Sequence, residues 1–332
     1  MIDITSTHVP AHIHIGHEDQ LYLVGGSNDV FLQYRDVPSI QWLLWQWRDA
    51  IHKRERRLRS ANIVYKHITI PEKVSIYDND LLDLQVNWRL SPAFRLYHED
   101  PYYRRFPLRI ARLPQYLRRQ ARWRKTMIDL VTPMRRRRDD QQLFHRTDTH
   151  WNFEGRLIGY KEICRAFGAR PVRDFHERRT EWFADFSGDL GSVCRPRITE
   201  GATMHLVQRD AVRVYASPIV EHRERIGQIG TLHTGSHVIY RNETSSDSRR
   251  MVLFGDSYSH VAPTQLAIML AETFRELHFI WSTQIDFAYI ERVRPDLVLS
   301  EMVERFVFRV PDDNWSLERD AAERFAEELA SA

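Results

Sequence analysis

The strongest constraint on the fold lies in the last third of the chain. Short apolar runs alternate there with segments of helical spacing: MVLF at 251–254, a helical stretch at about 261–275, ELHFIW at 276–281, DFAYIERV at about 286–293 and DLVLS at 296–300. Apolar runs of four to six residues separated by helices predict parallel strands buried on both faces, joined by crossovers. An earlier unit repeats the rhythm. Helix-like SIQWLLWQWRDAIHKRERRLRS (39–60) is followed by β-branched ANIVYKHITI (61–70), which Pro71 stops. The expected class is therefore α/β, a three-layer α/β/α sandwich around a mostly parallel sheet.

Other segments complete this outline. DQLYLVGG (19–26) reads as a short strand closed by a glycine turn, and EGRLIGYKEICRAFG (154–168) as a helix with a glycine stop. Residues 113–131 carry apolar side chains at roughly helical spacing and predict an amphipathic helix. Residues 170–250 are irregular and strand-rich. The expected organisation is one domain over 1–310, with 170–250 as an irregular insertion, and a polar helix over 311–332.

Composition narrows the class. A hydrophobic content of 42% is ample for a core and excludes a disordered chain. Two cysteines, Cys164 and Cys194, do not make a disulfide framework and sit in no metal-binding pair, so both are expected as free thiols. No apolar run approaches the roughly 20 residues that span a bilayer. The N-terminus lacks the basic-then-apolar order of a signal peptide, which predicts a cytoplasmic protein for the chain as written.

Ser257 in GDSYSH falls where a buried strand ends and a helix starts, the place where open parallel sheets form their sites. The start of a helix favours a developing oxyanion, and Gly255 permits a tight turn. Asp and Ser before a helix are also ordinary caps, so Ser257 alone is read first as a cap. A nucleophile needs a base and an orienting group. Of the 16 histidines, His150 stands apart, because Asp148 two residues earlier can hold its Nδ1–H and leave Nε2 free for a proton. Trp151 offers an apolar wall.

These stretches carry a family likeness. TDTHWNFEG before a helix, then GDL, then a strand ending in GDSYS, resemble the alginate O-acetyltransferase AlgJ/AlgX-like family. GHEDQLYLVGGSNDV and ITIPEKVSIY resemble its N-terminal pattern, so the likeness spans about residues 15–310. The resemblance implies an SGNH-hydrolase-like fold and a triad in which Ser257 becomes acetylated, His150 acts as base and then acid, and Asp148 orients it. Beside the Ser257 N–H, Gly188 or Gly191 in SGDLGS is a candidate oxyanion donor. Arg305 in VER matches a Glu-Arg pair, with a role at an anionic sugar, at the serine loop or in a structural ion pair. The resemblance also implies the periplasm for a chain that carries a leader.

The expected activity is O-acetylation of a carbohydrate, a polysaccharide or its precursor, with a carbohydrate O-acetyl esterase as runner-up. No cofactor and no metal are expected, no coenzyme A motif is evident and the acetyl donor is open. A rival of another class is a non-catalytic binder of anionic polymers. It rests on residues 104–138, which hold thirteen Lys/Arg against one acid, Asp129. The same segment suits an anionic glycan or a phosphorylated precursor steered towards the site. Nucleic acid is not expected, since no recognised module surrounds these arginines. Two metal readings compete less well. His12, His14, His17 and Asp19 crowd together without further ligands downstream, and a His145, Asp148, His150 cluster leaves the GDS junction unexplained.

Overall fold

The computed structural model describes residues 7–26, 28–99, 113–260 and 265–330. The strands are β1 (Ile13–Ile15), β2 (Leu21–Leu23), β3 (Val64–Ile70), β4 (Met127–Ile128), β5 (Thr180–Phe186), β6 (Glu200–His205), β7 (Val212–Ala216), β8 (His237–Arg241), β9 (Asp247–Gly255), β10 (Phe274–Trp281) and β11 (Leu297–Val303). The helices are α1 (Pro38–Ser60), α2 (Lys73–Ile76), α3 (Pro92–His98), α4 (Leu113–Thr126), α5 (Val131–Arg137), α6 (Phe153–Phe167), α7 (Pro218–Arg225), α8 (Ser257–His260), α9 (Leu266–Ala271), α10 (Phe287–Val293) and α11 (Leu317–Ala330).

Seven described strands form the central sheet in the order β4-β3-β11-β9-β10-β8-β7. The first five run parallel, and β8 and β7 add antiparallel at one edge. The class read from the sequence is therefore the one observed. The uninterrupted apolar runs have a direct cause: Met251 and Leu253 of β9 point into one core, while Val252 and Phe254 point into the other. Helices cover both faces, so neither set of side chains meets water.

Several boundaries differ from the reading by apolar runs. Strand β9 begins at Asp247 because the polar residues before Met251 pair with β10, Phe274 lying opposite Asp247. The long helix expected to 275 ends at Ala271, and β10 already starts at Phe274; residues 261–264 lie outside the described residues. The amphipathic helix ends at Thr126, after which Met127 and Ile128 become β4 and pair with His67 and Ile68. Within 170–250, β5 and β6 form a separate ribbon, but β7 and β8 join the central sheet.

Helix α6 shows how local signals set its limits. Asn152 caps it by accepting from the Glu154 and Gly155 N–H groups at 2.9 and 3.1 Å. Gly168 ends it at φ +65°. Cys164 on this helix is buried, and both cysteines are free thiols.

Candidate active site

The carboxyl end of β9 delivers Ser257. A Cβ at Gly255 would lie 2.6 Å from Glu301 Oε2, so only glycine fits between β9 and β11. Asp256 does the capping that the sequence assigned first to Ser257. Its Oδ1 accepts from the Tyr258 N–H at 2.9 Å, and its Oδ2 accepts from the Val303 N–H at 2.7 Å. Tying the Asp256 side chain to β11 leaves the Ser257 hydroxyl to face the neighbouring loop.

That loop holds residues 145–151, fastened on several sides. The buried Lys73 ammonium donates to the carbonyls of Leu21, His145 and Arg146 at 3.0, 2.7 and 3.0 Å. Glu200 accepts from the Arg146 and Thr147 N–H groups, and Tyr258 Oη donates to the Thr149 carbonyl at 2.6 Å. Burial pulls the Lys73 amine down to about 7 despite the acids around it.

Three side chains meet on this frame. His150 Nδ1 lies 2.6 Å from Asp148 Oδ1, and His150 Nε2 lies 2.8 Å from Ser257 Oγ. A carboxylate only accepts, so Nδ1 carries the proton and Nε2 is the free base. Burial alone would lower the imidazole, but the charge and hydrogen bond of Asp148 outweigh it and raise His150 above its ordinary value. Burial would likewise raise Asp148, yet His150 holds it well below the usual carboxylate range. Asp148, His150 and Ser257 open into a cleft of about 590 Å³, shared with Phe186, Asp189, His233, Trp281, Thr283, Phe306 and Arg309.

Other candidates fall elsewhere. The Gly188 N–H donates to Thr147 Oγ1 at 3.0 Å and the Gly191 N–H to the Thr147 carbonyl at 2.9 Å, so both candidate oxyanion donors are engaged inside the loop. Gly188 is needed for close packing instead, since a Cβ there would lie 2.2 Å from the Asp148 Cβ. Trp151 is fully buried against Gly159 and Tyr258; it is a core side chain and does not wall the cleft. Arg305 is buried too. It pairs with Glu72 at 3.1 Å, donates to Thr149 Oγ1 at 3.2 Å and lies over the Tyr258 ring at 5.6 Å, which places it in a structural ion pair behind the histidine loop and beside the serine helix, outside the cleft lining.

No described residue of 104–138 lines the cleft, and 104–112 lie outside the described residues. Arg135 and Arg138 both pair with Asp78, while Arg118, Arg119 and Arg122 border a separate groove with Asp49 and Glu55. Among the described residues, the histidines at 12–17 do not converge on a metal-sized cluster. His145 packs against Phe186 and stands outside the cluster found among the described residues, Asp148, His150 and Asp189. A cation there would have to take the Nδ1 position that already faces Asp148, which would leave Ser257 without its base.

Sequence reading missed Asp189, Lys73, Glu200 and Glu304. The buried Glu304 carboxylate accepts from Tyr34 Oη, Ser75 Oγ and the N–H groups of Glu72 and Ala93 at 2.5–2.9 Å, joining the strand end that carries Lys73 to α3. The local signals for Asp189, Lys73 and Glu304 were the GDL, IPEK and VER strings, which name residues without saying what they touch, and Glu200 lies in none of them.

The comparisons with known proteins agree with the fold. The family described as SGNH hydrolase-like domain, acetyltransferase AlgX, matches residues 43–281. The O-acetyltransferase domain of Pseudomonas putida AlgJ superposes with a TM-score of 0.55 at 13% identity, covering 93% of this chain and 97% of that one. Bacillus cereus PatB1, solved with a sulfonyl adduct, gives a TM-score of 0.52 at 14% identity over 80% of this chain and 91% of that one. No curated protein matches the chain in sequence. With the family match running through the Asp148–His150 loop and Ser257, the chain belongs to the AlgX-type acetyltransferases with an SGNH hydrolase-like domain.

Proposed function

We propose that the protein moves an acetyl group from a donor to a carbohydrate hydroxyl through an ester on Ser257. The observation that carries this reading is the continuous line from Asp148 Oδ1 through His150 to Ser257 Oγ, with contacts of 2.6 and 2.8 Å. As Oγ attacks the acetyl carbonyl, its proton passes to His150 Nε2 and the new imidazolium is held by Asp148. His150 returns the proton to the leaving group, giving acetyl-Ser257. An acceptor hydroxyl then loses its proton to Nε2 as it attacks the ester, and Ser257 recovers its own. The stacked rings of His233 and Trp281, 5.7 Å apart, border the cleft where a sugar would lie.

The test is intact-mass analysis of the full chain after incubation with p-nitrophenyl acetate, beside Ser257→Ala. One added acetyl group on the native protein only is the expected result. Adding candidate sugars then separates transfer from hydrolysis, since a transferase yields acetylated sugar and an esterase yields acetate alone. A folded native chain that neither turns over nor takes up acetyl would overturn the reading in favour of a binding protein.

A further inference from the structure

Asp189 arrives at the relay from the loop between β5 and β6. Its Oδ1 accepts from the Thr149 N–H at 2.7 Å and its Oδ2 from Thr149 Oγ1 at 2.6 Å, so both oxygens grip the residue between Asp148 and His150. Oδ2 also stands 3.8 Å from His150 Nδ1. That is too far for a hydrogen bond, but well within the range of charge interaction. Asp148 supplies the hydrogen bond, and Asp189 supplies a second negative charge on the same edge of the ring.

The loop that carries Asp189 is held against the catalytic loop. The Leu190 and Gly191 N–H groups both donate to the Thr147 carbonyl, and the Ser192 N–H donates to the Gly188 carbonyl. Gly188 packs directly on Asp148. On the far side, the Thr149 hydroxyl accepts from Arg305 while donating to Asp189, so it bridges cation and carboxylate.

We propose that Asp189 is a second carboxylate of the relay: a positioning residue that fixes Thr149 and sets its charge behind the His150 imidazole. The proposal rests on the acyl-transfer reading above. The groups facing His150 are Asp148 on its own loop, Asp189 from the β5–β6 loop, Ser257 and Tyr258 on α8, Arg305 after β11 and Glu72 after β3. Burial raises Glu72 to about 7, so Asp148 and Asp189 are the two carboxylates set against the one guanidinium, and a proton arriving at Nε2 reduces that imbalance. The Asp189 side chain is 43% accessible, so water in the cleft screens it, and its influence is on the imidazole rather than on global stability.

The test is Asp189→Asn in the full chain, which keeps an acceptor for Thr149 and deletes the charge. The readout is kcat/KM for p-nitrophenyl acetate against pH. The acid limb is expected to move to lower pH, and the plateau to fall by no more than about fivefold, the size of a water-screened charge interaction. Asp189→Glu is expected to keep the limb near its native position. A folded Asp189→Asn protein whose limb does not move overturns the proposal, whatever its plateau. Should D189N fail to fold, Asp189→Ser removes the same charge with less bulk and is read in the same way. Failure of both to fold would also overturn it, by making Asp189 a residue of the fold. A native protein that neither turns over p-nitrophenyl acetate nor takes up acetyl on Ser257 would instead refute the acyl-transfer reading itself.

Discussion

At the scale of single residues the relay works by proton placement. Asp148→Asn is expected to permit the other tautomer, with Nε2–H pointing at Ser257, and so to remove the base while leaving the fold intact. In chymotrypsin-type triads the corresponding substitution lowers kcat by about 10⁴-fold; a comparable fall with an unchanged melting temperature is expected here. A loss below about tenfold would mean that Asp148 does not set the tautomer. The raised His150 also fixes a sign. The base acts only when neutral, so activity falls as pH drops through its raised value, and the acid limb of kcat/KM should lie above the ordinary imidazole value. Gly188→Ala tests packing at the same point. Its Cβ would overlap Asp148 at 2.2 Å, and displacing that carboxylate by about 1 Å should cost about 100-fold in rate.

At the scale of elements, buried carboxylates join segments that apolar packing alone leaves separate. Glu272, just after α9, accepts from Arg178 at 2.7 Å and from the N–H groups of Arg209, Asp210 and Ala211 at 2.8–2.9 Å. This knot holds the loop that feeds β7 onto the sheet. Glu272→Ala would leave three N–H groups without their acceptor and the Arg178 guanidinium with Asp174 as its remaining carboxylate, a loss of about 2–3 kcal/mol by chemical denaturation. A loss within about 1 kcal/mol would show that water replaces the carboxylate at no cost. The same carboxylate explains the misread helix. Glu272 and Thr273 look helical in an apolar pattern, but the Glu272 side chain turns back to the loop, and Phe274 is already paired in β10.

At the scale of the whole molecule, acid sensitivity follows from histidines buried along the sheet. Burial first, then Arg54, pulls His67 on β3 down to about 3. Burial first, then His278 and Arg292, does the same to His237 on β8. The unfolded chain takes up these protons as pH falls through the ordinary imidazole range, whereas the folded chain does so only near 3. Their contribution is therefore complete above about pH 6.5 and lost between there and about pH 3, at about 1.4 kcal/mol per pH unit for each histidine. Glu72, raised to about 7 by burial, acts in the opposite direction between about pH 7 and its unfolded value, so comparison with variants isolates the histidines. His67→Gln and His237→Gln should each lose less melting temperature than the native protein between pH 7 and pH 4. Equal losses would show that these rings protonate without unfolding the chain.

By itself the sequence determined the α/β class, because strands covered on both faces must be apolar throughout, and it singled out Asp148, His150 and Ser257 through local spacing and a strand-end junction. Caps and stops such as Asn152 and Gly168 were equally readable, since they act within one turn of chain. Only the tertiary structure decided the rest. It brought His150, one of 16 histidines, to Ser257, and it moved the capping role to Asp256. It also engaged Gly188 and Gly191 inside their loop, buried Trp151 and Arg305, and set Asp189 behind the imidazole. The physical reason is range. Apolar periodicity and caps act between near neighbours in the chain, whereas a polar side chain's partner depends on which strands lie side by side, and that order emerges only when the whole sheet is assembled.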